Sequence, residues 1–431
     1  MASMLHLLKN VQLPKVAHVK CEFDRSEVSD VAAALLKELE RPEILETVKP
    51  GMKIAVGVGS RGLAGLEIMV KTLVKKLQNL GAEPFIVPTM GSHGGATAEG
   101  QRAILAALGI TEESIGCPIR SSMETVELGT VHVPDLNVDT RTYLDRNAYE
   151  ADGIVFVARV KPHPAFKDVL ESGLSKMLVV GFGKQKGAQA YHTAANGRMG
   201  RVLEAVAPHN LEMCKVLFAV GSVENAYDRI CDIRAVLAKD LIETDKEMLR
   251  LAKERIGKLP FTELDVLIAQ QMGKEISGEG LDPNITGKRA IGPLPGGPTI
   301  TKIGVLQLSK DSDGNIVGIG AVDVITERLQ QRINYNISYA NALTTGGLHK
   351  VRIPMTLACD EEVIRAAVHS SKVADTTQAR LVLIKDTLHL SDLYISEGLK
   401  DAIAADPRLT LCSDFEDIPL SPSGELMIDW K

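Results

Sequence analysis

From residue 53 onward, short apolar runs alternate with amphipathic stretches. Lys53-Ile54-Ala55-Val56-Gly57-Val58 is a nearly continuous apolar run rich in β-branched residues, the pattern of a strand buried on both faces. Residues 63–80 then carry apolar side chains at helical spacing and stop at Gly81. A strand over 83–87 and a helix over 98–108, ended by Gly109, repeat the unit, and 153–158 and 216–220 give two more buried strands. Such alternation predicts a doubly wound, Rossmann-like parallel sheet, whose ligands sit beyond the carboxyl ends of its strands.

An amphipathic helix over 233–256 is expected to close this half, and Gly257-Lys258-Leu259-Pro260 reads as a linker. The predicted division is therefore an N-terminal domain over 1–257 and a second α/β domain over 261–431, with the active site in the cleft between them and the tail free to pack back on the first domain. The second domain restarts with a strand at 265–269. Strand-like runs at 300–308 and 316–324 flank Asp311-Ser312-Asp313-Gly314-Asn315, which lacks the later ligands of a calcium loop and reads as a hairpin turn. Helices near 361–370 and 396–404 and a strand near 380–384 complete the unit.

Composition narrows the class. The chain has 431 residues, 45% apolar and 24% charged, as for a globular protein, and 4% aromatics imply an aliphatic core. A net charge of −6 argues against nucleic acid as a partner. No stretch approaches the ~20 apolar residues of a membrane span, and the first ten residues lack the pattern of a signal peptide. Six scattered cysteines without a CxxC pair fit a reducing cytoplasm and suggest no zinc or redox site.

Candidate chemistry gathers after the predicted strands. Gly57-Val58-Gly59-Ser60-Arg61-Gly62 matches GxGxxG, which fits a tight turn, a phosphate or carboxylate site, or the cofactor site of an NAD-dependent 2-hydroxy-acid dehydrogenase. Arg61 there suits bidentate capture of a carboxylate. His93 stands among three glycines in Gly91-Ser92-His93-Gly94-Gly95, and His163 is held between prolines in Lys161-Pro162-His163-Pro164. Lys176 lies in an apolar run, where desolvation would lower its pKa and sharpen its amine as a nucleophile. Gly181-Phe182-Gly183-Lys184-Gln185-Lys186-Gly187 reads as a glycine–lysine loop suited to a phosphate, and His192 follows Lys176 by 16 residues. Imidazoles serve both metal ligation and proton transfer near neutral pH. Gln271 and Lys274 form a polar tip after a strand of the second domain.

This set resembles the nickel-dependent lactate racemase family, which interconverts epimers of 2-hydroxy acids. The likeness spans most of the chain and rests on Gly91-Ser92-His93-Gly94-Gly95, Pro162-His163, Ser172-Gly173-Leu174-Ser175-Lys176 and His192, with Arg352-Ile353-Pro354-Met355-Thr356 and Asp386-Thr387-Leu388-His389-Leu390 adding to it. It implies a cofactor, the nickel-pincer nucleotide (pyridinium-3,5-bisthiocarboxylic acid mononucleotide), covalently linked to Lys176, with His192 as the protein's nickel ligand. It further implies His93 and His163 as acid/base residues and Arg61 on the substrate carboxylate. Ser60, Lys184 and Lys186 would add cofactor contacts, Gln271 and Lys274 would clamp substrate, and Lys288 or Arg289 is the alternative to Lys274. The partners implied are a 2-hydroxy acid and the enzymes that build the cofactor, and a homodimer is compatible with it. Two departures stand out. The anchor reads Gly173-Leu174-Ser175-Lys176 rather than Gly-Gly-Arg-Lys, and the single tryptophan, Trp430, lies in the tail, pointing to a substrate larger than lactate, such as a sugar acid.

Overall fold

The structure, a computed structural model, describes residues 3–60, 63–195 and 197–430. Its contacts divide the chain into two compact units. One is Arg25–Ile256; the other is Gly257 onward together with the chain up to Asp24. The first 24 residues thus leave the domain to which the sequence assigned them. The cause is strand pairing: Val16–Cys21 buries Val16, Ala17, Val19 and Cys21 and lies antiparallel between Asp392–Ser396 and Leu409–Leu411.

In the Arg25–Ile256 unit the strands are β1 (Lys53–Val58), β2 (Glu83–Pro88), β3 (Thr125–Val133), β4 (Val138–Asp145), β5 (Gly153–Arg159), β6 (Val216–Glu224) and β7 (Ile230–Leu237). The main sheet has the order β2-β1-β5-β6-β7; its first four strands are parallel and β7 is antiparallel. β3 and β4 form a separate hairpin. The helices used below are α1 (Val31–Leu39), α2 (Leu66–Asn79), α3 (Ala98–Ala107), α4 (Lys184–Ala195), α5 (Met199–Met213) and α6 (Leu241–Arg255).

Alternate residues of each strand face opposite layers. Val56, Val58, Ile86, Val155 and Val157 pack with Leu35, Leu39, Met69, Leu73 and Leu105 from α1, α2 and α3. Ala55, Phe85, Ile154 and Phe156 pack on the other side with Leu174, Leu178, Phe182, Met248 and Leu249. Burial on both faces explains the unbroken apolar runs, and the doubly wound arrangement is as expected. The expected helix over 233–256 is corrected: residues 230–237 are strand, Val220 opposite Ala235, and α6 starts only at Leu241. The open edge of β6 offers these residues a ladder that local helical spacing cannot match.

The other unit is built on β8 (Glu263–Met272), β9 (Thr299–Leu308), β10 (Val324–Thr326), β11 (Met355–Leu357), β12 (Leu381–Ile384), β13 (Asp392–Ser396) and β14 (Leu409–Leu411). The sheet order is β11-β10-β9-β8-β12-β13, then Val16–Cys21, then β14. The predicted hairpin at 311–315 is overturned. β9 and β10 are parallel, Gly304 opposite Val324, so the chain between them crosses over and buries Ile316 and Ile319. The expected helix over 396–404 starts later, at Lys400–Ala405, because Asp392–Ser396 pairs with β12. Among the described residues no helix is long and apolar enough to cross a membrane.

Each main sheet reverses its winding once. The chain runs from β1 outward to β2, then returns to the other side of β1 as β5. In the other unit it runs from β8 out to β11 and returns beside β8 as β12. Open α/β sheets bind ligands at such reversals, beyond the carboxyl ends of the strands.

Candidate active site

Beyond β1 and β2 the chain brings Ser60 and His93 together, with Ser60 Oγ 2.5 Å from His93 Nδ1. The loop carrying His93 turns through left-handed backbone at Gly91, Gly94 and Gly95, and a Cβ at Gly94 would lie 2.6 Å from Gln101 N. Glycine is required there for conformation and space alike. Gln101, fully buried at the start of α3, donates through Nε2 to Gly91 O (3.0 Å) and His93 O (3.3 Å). Arg61, the predicted carboxylate clamp, lies outside the described residues.

Lys184 is not the exposed phosphate ligand expected of a glycine–lysine loop. It opens α4 fully buried, and its Nζ donates to Pro88 O at 2.5 Å and to Gln101 Oε1 at 3.1 Å. Asp145 Oδ2, also fully buried, lies 3.1 Å from the same nitrogen. Burial pushes the Lys184 pKa down and the Asp145 pKa up, each partly offset by the other. The ammonium therefore ties the end of β2, α3 and the end of β4 together, enclosed where a cofactor phosphate would not meet it. Its backbone is left-handed, φ 53, a strained conformation for a lysine that glycine would adopt readily. Lys186, by contrast, is exposed in the first turn of α4.

Beyond β5 the loop carrying His163 is closed at its neck by Lys161 N donating to Ser172 O (2.9 Å). Glu171, 2% exposed, accepts from His163 N at 2.6 Å and Asp168 N at 3.2 Å and pairs with Lys253 Nζ of α6 at 2.6 Å. The His163 ring stacks on Phe166, centroids 4.3 Å apart. Its Nδ1 accepts from Ala165 N at 3.0 Å, so in the neutral ring the proton sits on Nε2.

Lys176, half-buried, ends a single helical turn, Leu174–Lys176, that continues into a wide turn over Met177–Gly181. Asp245 of α6 caps that turn from outside, accepting from Leu174 N (2.9 Å) and Ser175 N (2.8 Å). Gly173 is needed for the approach, since a Cβ there would stand 2.0 Å from Asp245 Oδ1. Met177 packs against Gly59, and Gly91 N donates to Gly181 O, joining this segment to the loops after β1 and β2. His192 is exposed on α4, one turn beyond Ala188, whose Cβ faces Gly91.

The remaining predicted residues belong to the other unit. Gln271 Nε2 donates to Asp386 Oδ2 at 3.0 Å, at the reversal between β8 and β12. Asp386 is fully buried and also holds His389 Nδ1 at 2.8 Å. Burial raises its pKa, but hydrogen bonds from His389 and Gln271 outweigh that and hold it below the ordinary value. Lys274 Nζ donates to Gly278 O at 2.6 Å, and Lys288 pairs with Asp323 at 2.6 Å. Arg289 donates to Pro293 O at 2.9 Å, and Trp430 packs edge-on against Tyr394.

Sequence reasoning missed Gln101, Asp145, Glu171 and Asp245, the buried groups that hold these segments. One signal was available: Asp245 occupies a core position in the apolar stripe Leu241, Met248, Leu249, Ala252. Among the described residues no group of three or more His, Cys, Asp or Glu side chains could hold a metal by itself.

Three comparisons bear on relatives. A family model described as "Domain of unknown function (DUF362)" matches residues 63–252. No curated protein matches the sequence. Among solved structures, the chain is similar to the lactate racemase apoprotein from Thermoanaerobacterium thermosaccharolyticum, at 13% identity and a TM-score of 0.49, over 87% of this chain and 99% of that one.

Proposed function

We propose that the protein is an isomerase, a racemase or epimerase that inverts C2 of a 2-hydroxy acid with a nickel-pincer nucleotide held on Lys176. One observation carries the reading. The segments bearing His93, His163 and Lys176 follow β2 and β5 beyond the carboxyl edge of one sheet, the strands that flank β1 where the winding reverses, and each is fastened by buried polar contacts. These are the residues on which the family resemblance rests.

The residues present fit such a group. Among the described residues no cluster of three donors stands ready, and His192 would be the protein's nickel ligand, with the sulfur-bearing pincer supplying the others. Lys176 would carry the covalent link, and exposed Lys186 would meet the phosphate. When bound, the cofactor supplies an acceptor that takes hydride from C2 and returns it to either face of the planar 2-keto acid.

The chain's part is proton handling and positioning. A C2–H beside a carboxylate is a very weak acid, so direct deprotonation asks too much of a histidine, whereas removing the hydroxyl proton as hydride leaves does not. His93 is the base if Ser60 Oγ accepts its Nδ1–H, because Nε2 then carries the lone pair. His163, with Nδ1 occupied by Ala165 N–H, presents Nε2–H and acts as a hydrogen-bond donor to substrate oxygen. To serve as the base toward the opposite enantiomer it must carry its proton on Nδ1, and the Ala165 contact must open. Proton transfer of this kind contributes typically ~10²–10⁴-fold. With Trp430 packed against Tyr394, no tryptophan is left to close a small pocket, which favours a sugar acid over lactate.

The test is production in a host that builds the cofactor, followed by intact mass, nickel quantification and a chiral assay over a panel of 2-hydroxy acids. The expected result is an adduct on Lys176 and epimerisation of at least one acid. Full activity from nickel-free protein with unmodified Lys176 would refute the proposal.

A further inference from the structure

α6 sends two polar side chains toward the segments that carry the candidate groups. Asp245, 3% exposed, receives the backbone N–H groups of Leu174 and Ser175, immediately before Lys176. Lys253, eight residues and about 12 Å further along the axis at 1.5 Å per residue, reaches Glu171 Oε1 at 2.6 Å and Asp168 O at 3.1 Å. Glu171 in turn receives His163 N. Leu241, Met248, Leu249 and Ala252 bury the rest of the stripe, which fixes the helix against the sheet.

Packing alone does not call for a carboxylate at Asp245. A buried ionisable group costs stability unless it is bonded, and an apolar side chain would fill the position more cheaply. What the carboxylate adds is two directed contacts to one turn. Gly173 matches it: its φ of 175 is ordinary extended backbone, so only the closeness of Asp245 requires glycine there.

We infer that α6 is the positioning element of the site: Asp245 fixes the turn bearing Lys176, Lys253 through Glu171 fixes the loop bearing His163, and one helix holds amine and imidazole in a constant relation. The inference rests on the proposed function only for what the two groups do. Asp245 and Lys253 are positioning residues and touch no substrate.

The experiment uses the full chain and the variants Asp245→Asn, Asp245→Ala, Lys253→Met and Lys253→Arg. Hydrogen exchange is followed over 161–176. Acetylation of Lys176 by N-hydroxysuccinimidyl acetate is followed by peptide mass spectrometry from pH 7 to 10, with exposed Lys400 as reference. Asp245→Ala should speed exchange at Leu174 and Ser175 roughly fivefold to tenfold, the loss of a helix cap. It should also change the rate of Lys176 acetylation relative to that of Lys400. Lys253→Met should loosen 161–171, and Lys253→Arg should restore it. Should Asp245→Ala fail to fold, the near-isosteric Asp245→Asn carries the test, since it keeps one acceptor and turns an amide against the second N–H. A folded Asp245 variant whose Lys176 profile and 174–175 exchange coincide with the parent's overturns the inference. Neither readout needs cofactor or turnover, so a protein carrying the Lys176 adduct and nickel that shows the expected shifts but epimerises no acid would sink the racemase reading and leave the positioning role standing.

Discussion

Replacing Lys184 with methionine tests the central buried contact of the site. Lys184 and Asp145 are both fully enclosed, and methionine keeps most of the stem volume while removing the charge. Asp145 would then face the interior with backbone donors alone, Ala148 N at 3.1 Å and Asn147 N. Breaking a buried pair by removing one partner costs about 3–5 kcal/mol. For a unit of this size that is roughly 6–20 °C in melting temperature. Burial already raises the Asp145 pKa, and without the ammonium it rises further. A carboxyl with a raised folded-state pKa contributes stability below its ordinary value of 3.8 that is lost as pH climbs through the folded value. The deficit of Lys184→Met should therefore be small near pH 4, widen toward neutrality and then level off. Adding Asp145→Asn removes the stranded charge and should recover a large part of it. The assay is denaturant unfolding of parent, single and double variants between pH 4 and 8. A loss below about 1 kcal/mol at pH 7, a deficit flat in pH, or a double variant no better than the single would refute the reasoning.

Gly173→Ala should destabilise the chain by about 1–3 kcal/mol, as overpacking does, and release the Leu174–Lys176 turn, because the new methyl meets Asp245 Oδ1; thermal melts and hydrogen exchange read both. With Ellman's reagent at pH 8, exposed Cys412 should react first. Burial pushes Cys21 and Cys117 up to about 11 and Cys214 up to about 12, so these three should react only on unfolding. Asp386→Asn should cost about 1–3 kcal/mol at pH 7 by leaving His389 and Gln271 poorly matched. Because the Asp386 pKa is held below 3.8, its contribution is present above that value and lost as pH falls through the folded one, so the deficit should narrow below about pH 4 in acid unfolding curves.

Strands β1, β2, β5 and β6 were legible because burial on both faces leaves a continuous apolar run, a signal that needs no partner. β7 was not, because its strand character depends on the edge of β6. The crossover between β9 and β10 was misread for the same reason: Asp313-Gly314 is good turn chemistry in either topology, and only the sheet decides which. At the site, histidines among glycines and prolines stood out locally. Lys184 looked like a loop lysine because the groups that bury it, Gln101 and Asp145, lie 83 and 39 residues upstream. Short-range pattern finds residues that differ from their neighbours; it does not find the distant residues that hold them.

Three buried charges of this unit follow one rule. Lys184, Glu171 and Asp245 are each 3% exposed or less, and each contacts backbone of a segment that carries a candidate residue or frames it: Pro88 before the His93 loop, His163 itself, and Leu174 and Ser175 before Lys176. If stability alone governed these positions, apolar side chains would serve as well or better. Hydrophobic contacts resist separation but are nearly indifferent to small slides, whereas a carboxylate or ammonium between two backbone groups has a sharp optimum in distance and direction. Catalysis is sensitive on that same scale, since displacements near 1 Å cost about 10²-fold. The apolar layers therefore set where the sheet edge lies, and the buried ionic contacts set how the loops leave it.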